Sequence, residues 1–207
     1  GNPEQITIDS ESDLNLITEI SFKSCVESVT GIGDSFLDSC TNLTSIDLSG
    51  LSAIETIGHA FLYQCWSLPD IDLSGLSNVT DIYDEFLYDC RALTSLNLEP
   101  LANVTDVGED FLYGCISLST LDFSTWEYVV EIGDRFLMAC ENLTTIKFGS
   151  AISASMLDDT SDVKSFGVDD TTCTAFTTGI TLDAEDKVAI QEKFPESTSE
   201  PYRHWAN

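Results

Sequence analysis

Basic residues are scarce in this chain. Eight Lys and Arg stand against 36 Asp and Glu in 207 residues, a formal net charge of -28 at pH 7. A nucleic-acid site needs several cations to displace counterions, so that class of partner is excluded, and anionic membrane surfaces are disfavoured on the same ground. What the charge permits is cations, basic proteins and neutral glycans, and it also keeps an extended surface soluble. Long apolar runs are missing too, since no stretch approaches the roughly 18 residues of a membrane-spanning helix. Residues 1–5 carry neither the basic nor the apolar block of a signal peptide, which leaves export open.

Histidine occurs only at His59 and His204, and neither joins a Ser or Cys in a recognised nucleophile motif. There is no C-x-x-C pair, no Cys/His cluster of zinc spacing and no phosphate-binding loop. The chain therefore reads as non-catalytic, with no cofactor and no metal implied. The remaining catalytic alternative is a pocket in the C-terminal region around Asp158, Asp159, Asp162, Asp169 or Asp170.

What the sequence does have is a period. Five of its seven cysteines, Cys40, Cys65, Cys90, Cys115 and Cys140, follow one another at intervals of 25 residues. Phe36, Phe61, Phe86, Phe111 and Phe136 keep the same step, each followed by Leu. Leu43, Leu68, Leu93, Leu118 and Leu143 follow each Cys by three. Within a unit, Leu43-Thr-Ser-Ile46-Asp-Leu48 alternates with period two, which predicts a short strand burying Ile46 and Leu48 with Ser45, Asp47 and Ser49 outward. The return segment, as in Leu51 to Leu62, spaces its apolar residues by three and four and reads as turns with one short helical turn. One unit cannot bury its own apolar face, whereas stacked units share a core behind a parallel sheet.

The order Cys-x-x-Leu-x-x-Ile-x-Leu, then Ile-x-x-Ile-Gly-x-x-Phe-Leu-x-x-Cys, resembles the BspA-type, or Treponema pallidum-type, leucine-rich repeat of bacterial surface proteins. It departs from that pattern where Ser49-Gly50-Leu51 and Ser74-Gly75-Leu76 replace a frequent Pro, and in lacking the asparagine that follows the strand in other leucine-rich repeats. The expected fold is an α/β leucine-rich-repeat solenoid, with short parallel strands on the concave face, turns and short helical segments on the convex arm, and a C-terminal capping helix. Residues 1–25 read as a degenerate first rung, with Ile20 and Phe22 as an edge strand. Five repeats occupy 26–150, and residues 151–207 form irregular rungs and the cap. There Ile180 and Leu182 suggest a strand, and residues 183–194 a helix ending before Pro195. The resemblance further implies a secreted or bacterial cell-surface protein that binds a protein or glycan, with adhesion to a host matrix protein as the family association.

Solenoids commonly bind on the strand face. Its central row runs Asp47, Asp72, Asn97, Asp122 and Lys147, and a flanking row begins Ser45, Asp70. Asp47, Asp70, Asp72, Asn97 and Asp122 are accordingly the candidate ligand-binding residues, against the reading of a solvated sheet surface. Lys147 is placed to pair with Asp122. Tyr63, Tyr88 and Tyr113 form a stripe on the arm near Trp66, suited either to sugar rings and protein hot spots or to covering the core. Asp34, Asp84, Glu109 and Asp134 make an acidic row with His59 in the remaining slot. They read as caps of the following turn, or as ligands in the alternative of a calcium-stabilised spacer or stalk. The cysteine ladder reads as buried free thiols rather than disulfides, because residues in register point the same way. Cys25 and Cys173 fall outside the period. The sequons at Asn42, Asn78, Asn103 and Asn142 follow from the repeat itself.

Overall fold

A computed structural model describes residues 5–6, 14–22, 29–149, 151–152 and 175–178. In chain order its strands are β1 (Gln5–Ile6), β2 (Glu19–Ser21), β3 (Gly31–Ile32), β4 (Ser45–Asp47), β5 (Thr56–Ile57) and β6 (Asp81–Ile82). Then come β7 (Asp106–Val107), β8 (Thr120–Phe123), β9 (Glu131–Ile132), β10 (Thr145–Phe148) and β11 (Ala175–Thr178). Every pairing is parallel, and the chain winds as a β-solenoid of five turns whose rungs follow the 25-residue period.

The expected strand after each cysteine forms at the two ends of the array. There β2 pairs β4, with Ile20 opposite Ile46 and Ser21 opposite Asp47, and β8, β10 and β11 make a second group. Ile46 and Leu48 are buried and Ser45 and Ser49 exposed, as the alternation requires. In the middle rungs residues 70–73 and 95–98 keep that burial pattern without becoming strands. Pro69 occupies the slot whose N–H, at Thr44, Thr94 and Thr144, donates to the rung before, so one bond of that ladder has no donor.

The longest sheet lies elsewhere, in the return segment expected to hold turns and one short helical turn. Strands β1, β3, β5, β6, β7 and β9 form one six-stranded sheet, each strand two residues long. Ile32, Ile57, Ile82, Val107 and Ile132 point from it into the core.

The expected helical turn at each Phe-Leu pair is absent. Among the described residues the only helical pieces are three-residue 3-10 turns, at Leu14–Leu16, Ser74–Leu76 and Glu99–Leu101. Around Phe-Leu the backbone instead places every second residue at positive φ. Ala60, Leu62 and Gln64 have φ of 57°, 55° and 54°, and each of the other four rungs repeats the pattern. Left-handed backbone costs an ordinary residue roughly 1–2 kcal/mol. A helix would close its hydrogen bonds within the segment, whereas here the neighbouring rungs need those groups. Ala60 N–H donates to Asp84 C=O ahead, Leu62 N–H to Phe36 C=O behind, and Gln64 N–H to Tyr88 C=O ahead. Inter-rung bonds worth about 0.5–1.5 kcal/mol each, with complete burial of Phe61 and Leu62, offset the strain.

The core is a set of ladders. Phe36, Phe61, Phe86, Phe111 and Phe136 stack ring on ring with centroids 5.2–5.6 Å apart. Phe22 leans on Phe36 at the N-terminal end. Towards the other end Leu gives way to larger rings, and Trp126 stands edge-on to Phe123, its Nε1–H donating to Leu98 C=O. Gly75 is required because a Cβ there would fall on the carbonyl oxygen of Leu48. The expected strand at 180–182, the helix at 183–194, Cys25, Cys173 and the acids from Asp158 to Asp170 lie outside the described residues.

Candidate functional site

The central row of the strand face has a local job. The Oδ1 atoms of Asp47, Asp72, Asn97 and Asp122 accept the N–H of the residue two positions on, Ser49, Ser74, Glu99 and Ser124, at 2.8–3.0 Å. Such a turn needs a short side chain ending in an acceptor oxygen, which an amide supplies as well as a carboxylate does. Asn97 therefore continues this row and interrupts only its charge. The second carboxylate oxygen differs along the row. Ser21 Oγ donates to Asp47 Oδ2, and Lys147 Nζ stands 3.2 Å from Asp122 Oδ2, the pair expected from register. Partial burial pushes the Asp122 carboxyl up, but hydrogen bonds from Ser124 and Lys147 outweigh it and hold it below the usual range. Asp70 is exposed in the flanking row.

Tyr63, Tyr88 and Tyr113 do form a stripe, with neighbouring centroids 4.6 Å apart and planes within 16° of parallel. The central ring, Tyr88, has a tyrosine on each face, and all three residues are half-buried. Burial and then the flanking tyrosines push the Tyr88 hydroxyl up to about 12. Two buried carboxylates beside the stripe are neutralised by arginine forks, Asp89 by Arg91 at 2.7–2.8 Å and Asp110 by Arg135 at 2.6–2.7 Å. Arg91 also lies over the exposed ring of Trp66, 5.2 Å from its centroid.

The acidic row caps a different partner from the one expected. Asp34 Oδ1 accepts the N–H of His59 at 3.0 Å, and Asp84 Oδ1 that of Glu109 at 2.8 Å. These two acids thus serve the rung ahead, 25 residues away, because their own segment is not a helix with free N-terminal amides, and Glu109 of the same row instead pairs with Arg135. His59 stacks on Tyr83 at 5.2 Å and approaches Asp84 Oδ2 at 3.0 Å. Tyr83 is not among the residues singled out from the sequence, although it is the one residue that breaks the row Gly33, Gly58, Gly108, Gly133. Among the described residues no group of three or more His, Cys, Asp or Glu is placed to hold a metal ion.

The five ladder cysteines are buried free thiols. Those of Cys65, Cys90, Cys115 and Cys140 donate at 3.1–3.4 Å to the carbonyls of Leu37, Leu62, Leu87 and Leu112 in the rung before. Burial pushes the Cys90 and Cys140 thiols up to about 12, and that of Cys115 well above its ordinary value. A thiol held in its neutral form is neither a nucleophile nor a metal ligand. The sequon asparagines bridge rungs as well, as Asn78 Nδ2 does by donating to Ser52 C=O at 2.7 Å.

A stack of parallel rungs knitted by backbone, thiol and amide ladders around a leucine-rich core defines a leucine-rich-repeat solenoid. The model of the BspA type leucine rich repeat region matches residues 3–118 and 55–175 in six copies, and this chain belongs to that family. Its fold is similar to that of a T. pallidum leucine rich repeat protein, with a TM-score of 0.54 and 18% identity over 66% of this chain and 61% of that one. A leucine-rich repeat protein from Bacteroides ovatus ATCC 8483 aligns at 18% identity and a TM-score of 0.35, over 67% of this chain and 46% of that one. The chain thus spans less than two thirds of either protein. No curated protein matches it. Leucine-rich repeats are in general protein-binding and structural modules, and no helix among the described residues is long and apolar enough to cross a membrane.

Proposed function

We propose that this chain is a non-catalytic protein- or glycan-binding module of a secreted or surface-displayed bacterial protein, acting in adhesion to a host matrix component. The observation that supports it most is the strand face carrying Asp47, Asp70, Asp72, Asn97 and Asp122 on successive rungs, held in fixed geometry by one turn bond per rung for every member but Asp70. The fold spends one oxygen of each carboxylate in that row on a turn bond, and Lys147 pairs with the other oxygen of Asp122. Such a surface favours cationic or hydrogen-bonding ligands and speeds their encounter at low salt.

The test is binding of the chain to matrix proteins and glycans at low and physiological salt, beside a variant combining Asp72→Asn, Asp122→Asn and Asp70→Lys. Asn keeps the turn acceptor, as Asn97 shows, so the variant loses charge without losing fold. Salt-sensitive binding that drops in the variant supports the strand face, and binding unchanged in the variant removes it. The alternative of a calcium-stabilised spacer or stalk makes the acidic row Asp34, Asp84, Glu109 and Asp134 the ligands, although no group of three or more acids among the described residues is placed to hold a metal ion. It requires a melting temperature that rises with millimolar calcium and not with magnesium.

A further inference from the structure

In a strict repeat, residues that break a row stand out, and here two such residues touch. Gly33, Gly58, Gly108 and Gly133 fill one slot of the six-stranded sheet, and Tyr83 alone departs from glycine. A Cβ on Gly58, Gly108 or Gly133 would come within 2.5–2.8 Å of the backbone one rung back. Yet Tyr83 keeps the slot's inter-rung bond, its N–H donating to Ile57 C=O at 2.9 Å as Gly58 does to Ile32 C=O. The side chain is not part of the core, since Tyr83 is 49% exposed. It stacks on His59, the one member of the neighbouring row that is not an acid. A local rule broken with no gain to the fold marks a position kept for another purpose.

The surroundings say what that purpose is. Residues two apart on a strand share a face, so Asp81 lies on the same side of the sheet as Tyr83. Asp81 is in register with Asp106, and Asp106 with Glu131. Thr80 and Thr105 hydroxyls brace the first two carboxylates at 2.5–2.6 Å. Three Lys or Arg side chains occur among the described residues, and all are engaged elsewhere, Arg91 with Asp89, Arg135 with Glu109 and Asp110, Lys147 with Asp122, while His59 approaches Asp84. None of these ion pairs involves Asp81, Asp106 or Glu131.

We infer that this outer face of the six-stranded sheet, centred on Tyr83, docks a basic extended segment of a protein partner. One Arg or Lys packs on the Tyr83 ring, and others pair with Asp81, Asp106 and Glu131. The chain shows the same chemistry internally, where the Arg91 guanidinium lies over Trp66 while its fork grips Asp89. Beyond Tyr83 the next rung presents Gly108, with no side chain to cover the ring. The inference rests on the reading of this chain as a binding module, and it names a face different from the strand row above.

The experiment titrates the whole chain with a labelled Arg/Lys-rich peptide, and with its Gln-substituted counterpart, at low and physiological salt. Tyr83→Gly is the decisive variant, because it restores the glycine of the row and its fold is checked by an unchanged or raised melting temperature. The expected result is binding of the basic peptide alone, about tenfold weaker in Tyr83→Gly. Asp81→Asn with Asp106→Asn is expected to flatten the salt dependence. Binding within about twofold of wild type in Tyr83→Gly would overturn the inference, as would equal binding of the Gln peptide. Loss in the strand-face variant with none in Tyr83→Gly would keep the binding module and discard this site. No binding of either peptide to the wild-type chain discards this site as well, and the matrix and glycan panel then decides the broader reading separately.

Discussion

Cys115 donates its thiol hydrogen to the carbonyl oxygen of Leu87, 3.1 Å away and one rung back. Leu87 has φ of 53°, and its own N–H is spent on Phe61 C=O. The strained backbone turns that carbonyl into the core, where it accepts the Cys90 N–H at 3.4 Å and, from the rung ahead, the Cys115 thiol as a second donor. The 25-residue cysteine period thus has a hydrogen-bonding reason as well as a packing one.

Removing that donor should therefore cost more than the lost volume. Cys115→Ala leaves a small cavity and removes one of the two donors to the Leu87 carbonyl, and a loss of about 1–2 kcal/mol in denaturant unfolding is expected. In the native chain Cys65, Cys90, Cys115 and Cys140 should resist a thiol reagent at mildly alkaline pH until denaturant is added, as peptide mapping would show. Ready labelling of Cys115 in the folded chain would contradict both its burial and its raised pKa.

The row of Asp47, Asp72, Asn97 and Asp122 makes a comparison within one position. Asp72→Asn keeps an acceptor for the Ser74 N–H, while Asp72→Ala does not. The first should be close to neutral and also relieve some like-charge repulsion, and the second should lose about 1 kcal/mol. Equal stability of the two variants would show that the turn bond contributes nothing, and the row would then have to be explained by its charge alone.

The period, the core rows and the pairing of Lys147 with Asp122 were all legible in the sequence, because they are written in side-chain type and spacing. The six-stranded sheet was not. Two residues such as Thr56–Ile57 are too short to show alternation, and what makes them a strand is pairing with Gly31–Ile32 and Asp81–Ile82, each 25 residues away. The backbone around Leu62 was hidden for the same reason. Apolar spacing by three and four fits a helical turn equally well, and only the demand of two neighbouring rungs for its N–H and C=O groups selects the alternating conformation. Of the candidate site, Asn97 was the visible clue to the turn role of its row. Tyr83 was visible as a break in the glycine row, but its contact with His59 needed the stacking of rungs.

The tyrosine stripe gives a pH dependence whose sign follows from burial. Tyr88 titrates at about 12 in the folded chain against an ordinary 10.0, because burial first, then Tyr113 and Tyr63, oppose its ionised form. A folded pKa raised above the unfolded one means that between these values the unfolded chain has lost the proton while the folded chain keeps it. The stability Tyr88 contributes is therefore fully present below pH 10 and is lost as pH rises from about 10 towards about 12. In the native protein the tyrosinate absorbance should rise in more than one step, with a late step that disappears in Tyr88→Phe. That variant keeps the stacked ring and should unfold less steeply over the same alkaline range. A single titration near pH 10 in the folded protein would mean that the stripe is open to water, returning Tyr63, Tyr88 and Tyr113 to the list of surfaces on which a ligand could stack.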